Sequence, residues 1–354
     1  MAEKIRIKDI AERAGVSAGT VDRVLHGRPN VSPEARKKVE QALREMDYHP
    51  NMYASALAFN KAYHFIVLMP SYESEAYWEE VEEGILKAAE GMADFQVKIH
   101  ILYHDRYIAN SFVKQCQLCI DSNPDGMVIV PSVFEATQAF TTQLHEHNIP
   151  FVLLDSNIPE LQPLAFYGQD SFCSGYFAAK MMRLFAGDEK WVMIMRLIRH
   201  GKVLSKQQEN REVGFRHYMA KHCPHTSIVE LDLPLGCRQQ DYEQLLDEFF
   251  AVHPDLHHCI TFNSKAYIIG EYLLDRKRKD VHIMGYDMVN RNAICLREGS
   301  ITFLIAQHAF MQGHSCIDTL FNAVVLKKQV TPVNYMPIEL ITRENMDFYR
   351  RTSY

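Results

Sequence analysis

Between Phe65 and Met284, eight short apolar runs alternate with amphipathic stretches, and that rhythm leaves few folds open. The runs are Phe65–Met69, Val97–Leu102, Gly126–Val130, Phe151–Leu154, Trp191–Met195, Ile228–Leu231, Cys259–Phe262 and His282–Met284. A run without a polar face suits a strand buried on both sides of a parallel sheet. Between them lie helix-like stretches such as Trp78–Met92, Phe112–Ser122, Cys173–Phe185, Arg211–Lys221 and Tyr242–Val252, with His308–Leu326 after them. Strand, helix, strand in this order means doubly wound parallel sheets. Residues 63–354 are too many for one such lobe, so two are expected. Open α/β sheets bind ligands outside the carboxyl ends of their strands, which puts a site in the cleft between the lobes. A last strand is expected at Met336–Ile341. The tail Thr342–Tyr354 carries no heptads, so no assembly beyond a dimer is expected from it.

Residues 1–50 read differently. Three short helices fit: Lys8 to Ala14, ending at Gly15; Ala18 to His26, capped by Ser17; and a third opened by Ser32-Pro33-Glu34 and ending near Met46. Ile10, Ala11, Ala14, Val16, Val21, Val24, Val39, Ala42, Leu43 and Met46 make a small apolar core. The tight turn through Gly15 has helix-turn-helix spacing. Residues 51–62 form a linker in which Tyr53, Ala54, Leu57 and Ala58 share a helical face, too short to hold unless it folds against a partner. Charge is divided along the chain. Residues 1–62 hold eleven Lys and Arg against eight Asp and Glu, while the remainder holds 27 against 36. A basic head on an acidic body suits DNA held at one end.

Other classes fit poorly. No run of 18 apolar residues appears, so no membrane span is expected, and the polar start of the chain reads as cytoplasmic. The eight cysteines are scattered, several of them in apolar segments (Cys173, Cys259, Cys295, Cys316), and read as small core residues. The Cys116/Cys119 pair has CxxC spacing but lies within a helix and has no second pair. The histidines lack metal spacing, so no metal and no cofactor are expected. No GxSxG, P-loop, GxGxxG or HExxH string occurs, which argues against an enzyme and leaves no catalytic residue to name.

The string from Ile7 to Asn51 closely resembles the LacI/GalR family of bacterial regulators. The residues that carry the resemblance are Ala14–Ser17 (AGVS), Thr20–Leu25 (TVDRVL), Val31-Ser32, Tyr48 and Pro50-Asn51. The resemblance implies an all-α helix-turn-helix head and a periplasmic-binding-protein-like sensor of two parallel-sheet lobes. It also implies that the second helix enters the major groove of double-stranded operator DNA. Ala18, Gly19 and Arg23 would then face base edges. Ser17, Thr20, His26, Arg28 and Asn30 would meet phosphate or sugar. Arg23 has a blander alternative, a surface ion pair with Asp22 or Asp9. Asp22 departs from the family, which usually has serine there. The linker matches the family's hinge helix, with Leu57 as the wedge into the minor groove of a homodimer's site and Asn51, Ala54 and Ala58 facing the partner helix or the groove.

In the sensor the resemblance implies ligand contacts at Tyr77, Trp78, Asp155, Asp170, Arg211, Asn263, Asp287 and Gln307. Aromatic faces pack on the C–H face of a sugar, carboxylates accept hydroxyl hydrogens, and arginine donates in a fork. A sugar or sugar derivative is the expected effector, although strand-end aspartates also cap helices. The segment Leu197–Gln208, with His200, Lys202 and Lys206, reads as a solvated loop, or as positive charge for an anionic ligand. Two other functions stay open: a solute-binding or chemosensor protein without DNA, and a regulator whose effector is a protein.

Overall fold

The structure, a computed structural model, describes residues 6–25, 31–46, 61–73, 77–108, 110–187, 189–203 and 205–352. It divides into two compact units, residues 1–61 and 62–354.

The first unit is helical: α1 (Ile7–Ala14), α2 (Ala18–Leu25) and α3 (Pro33–Glu45). Local chemistry sets each end. The Asp9 carboxylate accepts the Arg6 N–H at 2.7 Å and so starts α1. Gly15, at φ 65°, ends it; its N–H donates to Glu12 O at 3.2 Å, and the Val16 N–H reaches back to Ala11 O at 3.0 Å. A side chain at Gly15 would be strained in that left-handed conformation. The Ser17 hydroxyl accepts the Thr20 N–H at 3.1 Å and opens α2. Ser32 accepts the Ala35 N–H at 3.2 Å, ahead of Pro33. Ile10, Ala11, Ala14, Val21, Val24, Val39 and Ala42 are buried together, with Val16, Leu43 and Met46 packed at the margin, which is the core expected from the sequence.

The second unit holds two six-stranded sheets. Lobe 1 contains β1 (Tyr63–Pro70), β2 (Val97–His104), β3 (Gly126–Ile129), β4 (Phe151–Leu154), β5 (Ala165–Gly168) and β11 (Val333–Tyr335), in the order β11-β5-β4-β3-β1-β2 and parallel throughout. Lobe 2 contains β6 (Trp191–Ile198), β7 (Ser227–Pro234), β8 (His258–Thr261), β9 (His282–Tyr286), β10 (Phe303–Ala306) and β12 (Glu339–Ile341), in the order β12-β10-β9-β8-β6-β7, with β12 antiparallel. Leaving out β11 and β12, the two orders are the same: the body is one architecture built twice. The helices are α4 (Tyr77–Glu90), α5 (Ser111–Asp121), α6 (Phe134–Glu146), α7 (Ser171–Ala186), α8 (Lys206–His222), α9 (Gln239–Val252), α10 (Tyr267–Asp275), α11 (Asn290–Glu298), α12 (Ala309–Leu320) and α13 (Met346–Thr352).

The chain crosses between lobes three times, at β5–α7, β10–α12 and β11–β12, so α7 packs on α8 in lobe 2 and α12 on α4 in lobe 1. Both helix pairs meet backbone to backbone through glycines. A Cβ on Gly175 would lie 1.8 Å from Arg211 O and one on Gly214 2.1 Å from Phe172 O; in the other lobe, Gly84 faces Phe310 O at 2.0 Å and Gly313 faces Val81 O at 2.0 Å. At the crossovers, buried Gln169 donates from Nε2 to Ala306 O at 3.1 Å and Pro337 O at 2.8 Å, while the Met336 N–H donates to Gly168 O at 2.8 Å. One amide thus touches all three connections.

The structure differs from the sequence reading in places. Strands β5, β10 and β11 have four residues or fewer and were not expected. The expected strand Met336–Ile341 shrinks to Glu339–Ile341, because its first half is a crossover. Helix α8 starts at Lys206, five residues early, in a polar stretch with no apolar stripe. Cys173 is exposed rather than a core residue, whereas Cys116, Cys119, Cys259, Cys295 and Cys316 are buried.

Candidate ligand cleft and exposed helix of the head

The carboxyl ends of both sheets face one cleft, and the side chains there form a linked polar cluster. On the lobe 2 side Arg211 is 4% exposed on α8. Its Nη1 donates to Phe262 O at 2.9 Å, its Nη2 donates to Gln307 Oε1, and its guanidinium lies 4.3 Å from the Tyr286 ring centre. Gln307 relays the contact, donating from Nε2 to Asp287 Oδ1 at 2.8 Å and Oδ2 at 3.0 Å. The Gln312 amide holds Gln307 O at 2.7 Å. Tyr286 is anchored from behind by Ser174 at 3.0 Å. Burial pushes the Asp287 carboxyl up to about 6, against the opposing pull of Arg211 and Gln307. Asn263 is buried just past Phe262. Its Oδ1 takes the Lys265 N–H at 2.8 Å and its Nδ2 faces Gln208 Oε1 at 3.5 Å.

Lobe 1 supplies the opposite wall. Asp155 follows β4 as Asp287 follows β9. Both are left-handed, at φ 72° and 67°. Both donate their N–H to the neighbouring strand, Asp155 to Tyr167 O at 2.8 Å and Asp287 to Ile305 O at 3.0 Å. Aspartate tolerates this conformation better than most residues, and strained backbone of this kind gathers at binding sites. Burial raises the Asp155 carboxyl, with Arg211 and Arg106 acting the other way. Tyr77, the first residue of α4, is 7% exposed. Trp78 meets it edge to face at 5.0 Å, and the Arg106 guanidinium sits 4.9 Å from the Trp78 ring centre. By accessible surface Asp155 is half-buried and Arg106 exposed.

Of the buried side-chain atoms left without hydrogen-bond partners among the described residues, Arg211 Nε, the Tyr77 hydroxyl and Gln312 Oε1 lie here, the last two close to each other but outside hydrogen-bonding geometry. Tyr77 titrates well above its ordinary value because it is buried and next to Asp155 and Asp287. A buried polar group without a partner costs about 1–3 kcal/mol. Across the cleft, Gln207 of α8 bonds Ser156 of lobe 1, and Arg199 stacks on Tyr107 at 4.6 Å.

Seven of the eight expected ligand residues therefore line this cleft: Tyr77, Trp78, Asp155, Arg211, Asn263, Asp287 and Gln307. Asp170 does not join them. Its Oδ1 accepts the Cys173 N–H at 2.8 Å and caps α7. Arg106 and Tyr107 were missed, while Arg199 and Gln207 fall in the segment Leu197–Gln208, which the sequence left open between a solvated loop and positive charge for an anionic ligand. Arg106 was within reach of the sequence, since it lies two residues past the carboxyl end of β2.

In the head, Ser17, Ala18, Gly19 and Arg23 are exposed on and before α2, and Thr20 is half-buried. The Ser17 and Thr20 hydroxyls bond each other at 2.9 Å. Arg23 is exposed on α2, and Asp9, one of the two acids the sequence offers it, accepts the Arg6 N–H instead. His26, Arg28, Asn30, Asn51, Ala54, Leu57 and Ala58 lie outside the described residues. Among the described residues no group of acids, histidines and cysteines is arranged to hold a metal, and no helix is long and apolar enough to cross a membrane.

Comparison with known proteins matches residues 6–51 to the bacterial regulatory proteins of the lacI family and residues 65–328 to the periplasmic binding protein domain. The HTH-type transcriptional regulator DegA of Bacillus subtilis is 26% identical over 293 residues, 80% of this chain and 82% of its own. The ribose operon repressor of Lactococcus lactis is 22% identical over 357 residues, 96% of this chain and 99% of its own. A solved structure of a candidate LacI transcriptional regulator from Bacteroides fragilis is 45% identical, with a TM-score of 0.79 over 82% of this chain and all of that one. A solute-binding protein from Burkholderia graminis, solved with D-arabinose, shares the fold at 17% identity, with a TM-score of 0.70 over 81% of this chain and 97% of that one.

Proposed function

This chain belongs to the lacI family of bacterial regulatory proteins, whose members are DNA-binding sensors and not enzymes, and on that premise we propose that it is a repressor that grips operator DNA as a homodimer and answers to a sugar-like effector in the cleft of its body. The observation that carries the effector class is the Arg211–Gln307–Asp287 relay facing Asp155 across the cleft, with unpartnered donors at Arg211 Nε and Tyr77. A polyhydroxylated ligand supplies what those groups lack: oxygens to accept from Arg211 and Tyr77, and hydroxyls to donate to Asp155 and Asp287. Names of relatives, such as the ribose operon repressor, agree with that class.

The head reads DNA through α2. Ala18 and Gly19 are small enough to bring the helix close to base edges, and Arg23 reaches a guanine or a phosphate. Asn51, Ala54 and Leu57 act at the minor groove, with Leu57 as the wedge. Effector binding changes the balance between arrangements of the two lobes, and that balance sets DNA affinity.

The test uses operator DNA selected with the purified protein, followed by DNA binding titrated with a panel of sugars. Arg211→Ala and Asp287→Ala are expected to abolish the response to the active sugar while leaving DNA affinity without sugar near that of the unmodified protein. Two variants that still respond normally would remove the cleft from the mechanism.

A further inference from the structure

We propose that Arg106 is the residue that reads a negative charge on the effector, so that the ligand is an acidic sugar, a polyol carrying a carboxylate or phosphate. This rests on the sugar-cleft reading above and narrows it.

The first observation is where Arg106 sits. Its guanidinium covers the face of Trp78 at 4.9 Å, the surface a neutral sugar would use for its C–H face. A guanidinium seated on a ring keeps the N–H donors at its edge available, and a fork of donors matches carboxylate and phosphate oxygens. Arg106 uses none of them on protein: no described residue gives it a hydrogen bond or an ion pair, Asp155 included.

That is unusual for this chain. Elsewhere in the body arginines grip carboxylates: Arg196 holds Asp232 at 2.7 Å, Arg276 holds Asp247 at 2.7 Å, Arg278 holds Asp280 at 2.6 Å, and Arg216 and Arg291 hold Glu212 and Glu271. The three cleft arginines, Arg106, Arg199 and Arg211, instead lie over Trp78, Tyr107 and Tyr286 without a carboxylate ion pair. Of the acids beside them, Asp105 is engaged by the Tyr107 N–H at 2.6 Å and Asp287 by Gln307.

The placement also orients the ligand. Hydroxyls meet Asp155, Asp287, Arg211 Nε and Tyr77 at the closed end. The anionic group meets Arg106 over Trp78, with Arg199 at the rim on the opposite lobe.

The test is calorimetric titration of the full chain with matched sets: a hexose, its uronate and its 6-phosphate, and a pentose, its aldonate and its 5-phosphate. In at least one set the acidic member is expected to bind about 10- to 100-fold tighter than its neutral parent, as a charge-assisted hydrogen bond allows. The uronate and aldonate arms report a carboxylate, and the phosphate arms a phosphate. Arg106→Gln is expected to remove that preference, bringing the acidic member and its neutral parent to within about threefold of each other, and Arg106→Lys, which keeps charge without the fork, to fall between. A neutral sugar that binds as tightly as its acid, or a preference unchanged in Arg106→Gln, overturns the proposal and leaves the sugar cleft standing. If no member of any set binds, the sugar-cleft reading falls and takes the proposal with it.

Discussion

Asp287 shows how one residue can be placed for binding at a cost in stability. Its carboxyl titrates at about 6 because burial disfavours the charged form more than Arg211 and Gln307 favour it. In the unfolded chain it titrates near 3.8. Between those values the folded protein holds a proton that the unfolded chain has released, so stability falls as pH rises from about 4 to about 6, then levels off. At about 1.4 kcal/mol per pH unit the penalty at neutral pH is on the order of 3 kcal/mol. Thermal unfolding of the unmodified protein and of Asp287→Asn should therefore diverge across that window, with the unmodified protein losing ground as pH rises; a difference that does not depend on pH would contradict this account. The family resemblance pointed to Asp287 and Asp155, and each is visible in one dimension as a polar residue closing an apolar strand. It could not show their left-handed backbone or the Gln307 relay. The same resemblance also pointed to Asp170, which caps α7, since a capping carboxylate and a ligand-facing one look alike until the helix beside them is built.

At the scale of elements, the closest packing in the body falls on two helix pairs of equivalent design. Gly175 and Gly214 bring α7 against α8, and Gly84 and Gly313 bring α4 against α12. Because the Gly175 contact is with the carbonyl of Arg211, this seam also fixes where Arg211 stands in the cleft. Gly175→Ala should force the helices apart, cost roughly 1–3 kcal/mol or more, and weaken effector binding by displacing Arg211. Gly91→Ala, where the new atom would find only Ala88 O at 3.4 Å, serves as the control and should melt as the unmodified protein does. Equal melting of the two variants would mean that the α7–α8 seam is softer than it looks. Elements that bury a long apolar face, such as β1 and α4, were legible in the sequence. Strand β11, three residues with exposed ends, was not, because its place comes from its pairing with β5 and not from its own pattern. The polar first turn of α8 was hidden for a related reason: Gln207 is held by Ser156 of the other lobe, a contact with no periodic trace.

In the whole molecule, the chain passes between the lobes at three crossovers that a single amide joins, and these were invisible beforehand. Two lobes could be inferred from length and rhythm; the exchange of α7 and α12 between them could not. Gln169→Ala would leave the Ala306 and Pro337 carbonyls without their donor. The closed arrangement of the cleft should lose stability, and effector affinity should drop about tenfold for each 1.4 kcal/mol lost, although no ligand contact is removed. Small-angle scattering with and without effector, alongside affinity, checks this; unchanged affinity and unchanged dimensions would show that the amide does not govern the pivot. One consequence lies in the direction of β1. The chain enters the body at Tyr63, the amino end of that strand, while its other end, at Pro70, points to the cleft. Eight residues at about 3.3 Å each make a stiff beam of roughly 25 Å. Hydrogen bonds to β2 and β3 on either side keep it from bending. A turn of lobe 1 about the crossovers would therefore be carried along β1 as a rigid rod, from the cleft end to the end where the chain comes in.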